Sequence, residues 1–97
     1  MKTYVLTKIA LQDLVETIDY IAADNIDMAY EWQEKIETAM SLLAEHPDMG
    51  VVKPDFTDKP VRFWPTGNYL IVYKKTSPLE ILRILNSYRD VPYLLSH

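Results

Sequence analysis

The sequence has no cysteine among its 97 residues. A disulfide framework and thiolate metal sites are therefore excluded. Histidine is almost as scarce: there are two, His46 beside Pro47 and the terminal His97, too isolated in sequence to suggest a metal site. No apolar run approaches the roughly 20 residues that span a bilayer. The opening MKTYVLTKIALQDL has no uninterrupted apolar stretch of leader length, so a cytoplasmic protein without a membrane partner is expected. Net positive charge is also missing. The formal charge is −4, and the totals do not describe a phosphate-binding surface.

What is present is ordinary globular composition, 48% hydrophobic and 25% charged. A chain of this length makes one domain, residues 1–97, and buries about 65% of its unfolded surface. The charge is unevenly spread. Asp13, Glu16, Asp19, Asp24, Asp27, Glu31, Glu34, Glu37, Glu45 and Asp48 face only Lys2, Lys8 and Lys35 in the first half. The second half is the basic one, and an anionic partner should meet the chain there.

Lys2 to Leu6 is β-prone. Thr7 is placed to cap a helix over Lys8 to Ala23, whose apolar stripe is Leu11, Leu14, Val15, Ile18, Ile21 and Ala22. Asp24 to Asp27 breaks the pattern, with Asp27 as the expected cap of a second helix. That helix carries Ala29, Trp32, Ile36, Ala39, Met40 and Leu43 and ends at His46-Pro47. Trp32 reads as core, and His46 as a helix C-terminal residue favoured by the dipole. Asp13, Glu16, Glu31, Glu34 and Glu37 on the opposite faces read as solvated.

Asp48 to Lys59 crosses to a sheet. Strands are expected around Val61–Phe63, Tyr69–Tyr73 and Ile81–Leu85, with turn residues at Pro65-Thr66-Gly67-Asn68 and Thr76-Ser77-Pro78-Leu79. Beyond Pro92 the tail reads as a short helix or an apolar strap. The fold expected is α+β: an N-terminal strand, then an antiparallel helical hairpin packed on a small antiparallel sheet, in the order β-α-α-β-β-β.

Arg83 interrupts an aliphatic strand. Simple alternation puts Ile81, Arg83 and Leu85 on one face. A buried, unpaired guanidinium is too costly to keep. Arg83 therefore either faces a partner away from the helices or pairs with Glu80, Asp90 or a helix acid. Arg89-Asp90 reads as a local pair closing the last strand, or as a target contact. Trp64, Tyr69, Tyr73, Tyr88 and Tyr93 enrich the sheet half in aromatics. An exposed subset, with Leu94 and Leu95, would form an apolar groove for a partner helix or strand. Aromatic and Arg anchors dominate interfaces, so Arg62, Trp64, Arg83, Tyr88, Arg89 and Leu94 are the candidate binding residues.

In order along nearly the whole chain, several segments resemble the ParE branch of the ParE/RelE superfamily. They are Asp13-Leu14 with Ile18-x-Tyr20-Ile21-Ala22, and Trp32, Ile36, Ala39 and Leu43 with Pro47-x-Met49-Gly50. They continue with Tyr69-Leu70-Ile71-Val72-Tyr73, Ile81-x-Arg83-Ile84-Leu85, Arg89-Asp90 and Leu94-Leu95. The resemblance implies the toxin of a type II toxin–antitoxin pair. Such a toxin stalls DNA gyrase, is not itself an enzyme, needs no cofactor or metal, and meets nucleic acid only through partners. Its partners would be gyrase and a cognate antitoxin, ParD-like or of another type II class, in a hetero-oligomer. The chain departs from the family at Val51-Val52, where a basic residue often follows Met-Gly, at Asn86-Ser87, where His-Gly is common, and in its acidity. The RelE branch instead cleaves mRNA on the ribosome. It carries an Arg where this chain has Leu70 and a Tyr where it has Leu95, and no acid–base pair is evident here. A degenerate toxin that serves only as antitoxin partner or co-repressor is the third reading.

Overall fold

A computed structural model describes residues 3–87 and 91–96. Tyr88, Arg89 and Asp90, with the expected Arg89–Asp90 pair, lie outside the described residues, as does His97. The elements run β1 (Tyr4–Leu6), α1 (Lys8–Asp24), α2 (Ile26–Glu45), β2 (Arg62–Thr66), β3 (Tyr69–Lys74), β4 (Leu79–Asn86) and α3 (Val91–Ser96).

The Thr7 hydroxyl accepts the Ala10 N–H and opens α1, as its position in the sequence implies. Asn25, not Asp27, joins the helices. Its N–H closes α1 on the Ile21 carbonyl, and its side chain caps α2 by accepting the Met28 N–H at 3.1 Å. Asp27 instead lies in the first turn of α2, where the dipole still favours its charge. The hairpin between β2 and β3 turns at Gly67-Asn68, with Gly67 at φ 59°.

The sheet order is β1-β4-β3-β2. β2, β3 and β4 are antiparallel, and β1 adds to the edge in parallel, pairing Tyr4 to Leu6 with Leu79 to Ile81. The helical hairpin covers one face. Ala10, Ile36, Met40 and Leu43 pack there on Ile71, Tyr73, Leu79, Ile81 and Ile84. The other face is covered as well: Phe56 of the crossing segment and Val91, Leu94 and Leu95 of α3 close over Val61, Phe63, Leu70, Val72 and Leu85. β3 is therefore buried on both faces. This accounts for its unbroken apolar run Leu70-Ile71-Val72-Tyr73 in place of alternation. Each such side chain contributes on the order of 2 kcal/mol by leaving water.

Two expectations from periodicity change. The α1 stripe is wider than its interface: Ala10 is fully buried, whereas Leu11 and Val15 are about half exposed on the flank. The β4 alternation also breaks. Val72 pairs with Arg83 but Tyr73 pairs with Ile81, so Leu82 is an extra residue in a bulge. Ile81 and Ile84 consequently share the helix face, while Leu82 and Leu85 share the other. Arg83 does not share a face with both Ile81 and Leu85.

Candidate functional site

On β2, Arg62, Trp64 and Thr66 alternate with Phe63 and Pro65 and so point to the helix side. Arg62 lies where the chain leaves α2. Its Nη1 donates to the Gly50 carbonyl at 2.8 Å, and its Nη2 is 3.7 Å from the Asp48 carboxylate. Lys75 meets the same carboxylate at 2.6 Å. The Lys75 hydrogen bond, ahead of the charge of Arg62, holds Asp48 below the usual carboxylate range. Beneath them the Tyr73 hydroxyl donates to the Pro47 carbonyl at 2.7 Å and accepts the Gly50 N–H at 2.9 Å. Burial pushes this phenol upward. A Cβ on Gly50 would fall on the Tyr73 hydroxyl, with the ring Cε1 only 2.6 Å away. Glycine at position 50 thus lets the chain pass directly over the ring.

Arg83 and Leu94 form a second group across the sheet. Arg83 Nε and Nη2 donate to the two Asp13 carboxylate oxygens at 2.8 and 3.1 Å, and Nη1 reaches the Leu94 carbonyl at 3.4 Å. Asp13 also accepts the Ile84 N–H at 3.0 Å. The carboxylate raises the already high affinity of Arg83 for its proton. Arg83 makes the expected pair with a helix acid, and that acid is Asp13. Asp13 is therefore not solvated: its side chain is 13% exposed. The signal in the sequence is its spacing from Ala10 and Thr17, which places it on the inward side of α1. Leu94 is half-buried over the second core, and its neighbour's carbonyl, that of Leu95, accepts from Lys59 Nζ at 3.0 Å.

Trp64 belongs to neither group. It packs against the helix-side core and forms, with Pro65 and Thr66, one wall of a groove whose other wall is α2. Glu31, Glu34, Lys35, Thr38, Ala39 and Leu42 complete a space of about 520 Å³. The buried Thr66 hydroxyl has no hydrogen-bond partner among the described residues. Trp32 lies in the core edge-on to Tyr69, with ring centroids 5.2 Å apart. The expected binding residues therefore do not converge on one site. Arg62 and Trp64 lie on the helix side near β2, Arg83 and Leu94 meet near β4, and Tyr88 and Arg89 lie outside the described residues. Leu42, Glu31 and Glu34 are not legible as groove residues, because in sequence they resemble any solvated helix flank.

Among the described residues, no three His, Asp or Glu side chains are grouped to hold a metal ion. No described helix is long and apolar enough to cross a membrane.

Residues 4–91 match a family model described as the ParE toxin of type II toxin–antitoxin system, parDE. No curated protein matches the sequence. Among solved structures the fold is similar to one described as the chromosomal ParDE TA system from P. aeruginosa. That likeness has a TM-score of 0.70 and 21% identity, covering 89% of this chain and 96% of the other.

Proposed function

The chain belongs to the ParE toxin family of type II toxin–antitoxin systems, and from that premise we propose that it arrests growth by inhibiting DNA gyrase. In this reading it acts in the cytoplasm as a protein inhibitor, without turnover of its own. A cognate antitoxin, ParD-like or of another type II class, silences it by direct binding. The match over residues 4–91 supports the toxin reading. One observation favours an inhibitor over an RNA-cleaving toxin: the two strand arginines are already engaged by the chain itself. Arg83 is held by Asp13, and Arg62 by the Gly50 carbonyl and Asp48. Leu70, where the nucleolytic relatives carry an arginine, is 8% exposed. Cleavage of a phosphodiester needs free cations around the phosphate and an acid–base pair.

The test is induction of the chain alone in a bacterial host, beside a supercoiling assay with purified gyrase. Growth arrest, an SOS response and accumulating cleaved DNA are expected. Arrest with intact gyrase activity and fragmented mRNA would replace this reading with the ribonuclease. Normal growth with unaffected gyrase would leave a degenerate toxin that only binds its antitoxin.

A further inference from the structure

We propose that Tyr20 and the two hollows beside it form the surface through which the chain grips gyrase, by taking Lys or Arg side chains of that enzyme; this inference rests on the gyrase reading above. Tyr20 lies near the C-terminal end of α1, is 80% exposed and belongs to neither core. One hollow, of about 400 Å³, lies between α1 and the end of β4, with Glu16 and Thr17 on one side and Tyr69 and Ile84 on the other. The second, of about 520 Å³, lies at the turn into α2 and is lined by Ile21, Asp24 and Met28. Met28 is 56% exposed there. Tyr20 lines both hollows and is the wall they share.

This is the anatomy of an interface anchor. A rigid aromatic ring stands beside recesses that a partner's side chains can enter, and such tyrosines carry a large share of binding energy. The fold does not need the ring there, because a residue this exposed buries little of its own surface.

Charge decides what enters. No Lys or Arg lines either hollow among the described residues. Asp13, at the floor of the first, is neutralised by Arg83. Glu16 stays charged, since it accepts only from the neutral Gln12 amide at 2.9 Å. Asp24 adds a second carboxylate in the other hollow. A cation entering either space meets a carboxylate and the face or edge of a phenol ring, the pairing that holds Lys and Arg at interfaces. A nucleic-acid phosphate is repelled by the same carboxylates, and a second copy of this chain would bring like charge to like. An enzyme that holds and cuts DNA must carry Lys and Arg against the phosphates, so gyrase offers cations of the required kind.

The test measures inhibition of gyrase supercoiling and direct binding of the full chain to gyrase, beside calorimetric titration with the product of the paired antitoxin gene. Tyr20→Ala should weaken inhibition and gyrase binding at least about tenfold and leave antitoxin affinity within about twofold. Tyr20→Phe keeps the ring and should stay within about threefold of the parent. Tyr30→Ala removes another exposed tyrosine, on α2 beside Tyr4, and should shift inhibition less than about threefold. Glu16→Lys with Asp24→Lys should weaken gyrase binding at least about tenfold at physiological salt, and more at low salt. Glu37→Lys with Glu45→Lys changes the net charge equally elsewhere on α2 and should do less than about threefold. Circular dichroism checks that each variant keeps its helices. A Tyr20→Ala chain that inhibits like the parent would overturn the surface while leaving the gyrase reading intact. Equal losses in the Tyr30 or Glu37–Glu45 controls would overturn it too, as would a matching loss of antitoxin affinity. If the unmodified chain leaves gyrase unaffected, the gyrase reading falls and this surface with it.

Discussion

The Asp13 carboxylate holds Arg83 through both oxygens and takes the Ile84 N–H as well. This one side chain continues the work of a strand. β1 pairs with β4 only as far as Ile81. Beyond that point β4 has an open edge, and α1 closes it: the Thr7 hydroxyl donates to the Leu82 carbonyl at 3.0 Å, and Asp13 accepts from Ile84. The Leu82 bulge accompanies this arrangement, shifting the register beside Arg83.

Asp13→Ala should therefore destabilise the fold by about 2–3 kcal/mol, because it strands a guanidinium that is 21% exposed and a backbone N–H. Arg83→Met alone should also destabilise, and the double variant should fall short of the sum by about 1 kcal/mol or more. Urea denaturation measures all three. Strict additivity would mean that the pair is a surface contact of little worth.

Gly50 and Tyr73 make a second coupled pair. Gly50→Ala should cost about 1–3 kcal/mol, since the new methyl overlaps the phenol and ring of a fully buried tyrosine. Tyr73→Phe should cost a similar amount, leaving the Pro47 carbonyl and the Gly50 N–H without their partner. Combining them should cost less than the sum, because removing the hydroxyl relieves part of the overlap. Melting curves of the four proteins provide the check.

Local chemistry makes much of the fold legible in the sequence. The Thr7 cap, the α2 stripe, the Pro47 stop and the three C-terminal strands are set by neighbours a few residues apart. The bulge at Leu82 is not legible, because register is settled by which side chains the helices bury and not by β4 alone. Asp13 reads as solvated because its partner lies 70 positions away. Trp64 and Arg62 stand out as unusual strand residues. The α2 side of the groove does not, since the stripe of a helix reports its buried line but not which flank a neighbouring strand leaves uncovered.

The two helix caps should differ in weight. Asn25→Ala removes one exposed cap bond, to Met28, and should cost about 1 kcal/mol. Thr7→Ala removes both the Ala10 cap and the donor to the Leu82 carbonyl on β4, and should cost more, about 2 kcal/mol. Equal losses in chemical denaturation would show that the Thr7–Leu82 bond adds nothing.

Tyr73 also makes stability depend on alkaline pH with a definite sign. Burial is the largest cause of its raised pKa, and the nearby Asp48 charge adds to it, against the Gly50 hydrogen bond and the Arg62 charge that pull it down. The folded chain therefore holds this proton more tightly than the unfolded chain, whose phenol titrates near the ordinary 10.0. The stability this supplies is fully present below pH 10 and is lost as pH rises through the higher folded value. Ionisation also removes the donor to the Pro47 carbonyl. Tyr73→Phe has no such proton, so its stability should decline less steeply in this range, and the advantage of the unmodified chain should shrink above pH 10. Denaturant midpoints of both proteins from about pH 8 to about 11, with phenolate absorbance followed in parallel, test this. Curves that stay parallel across that range would mean that Tyr73 ionises without feeling the fold, against the two hydrogen bonds that hold its hydroxyl.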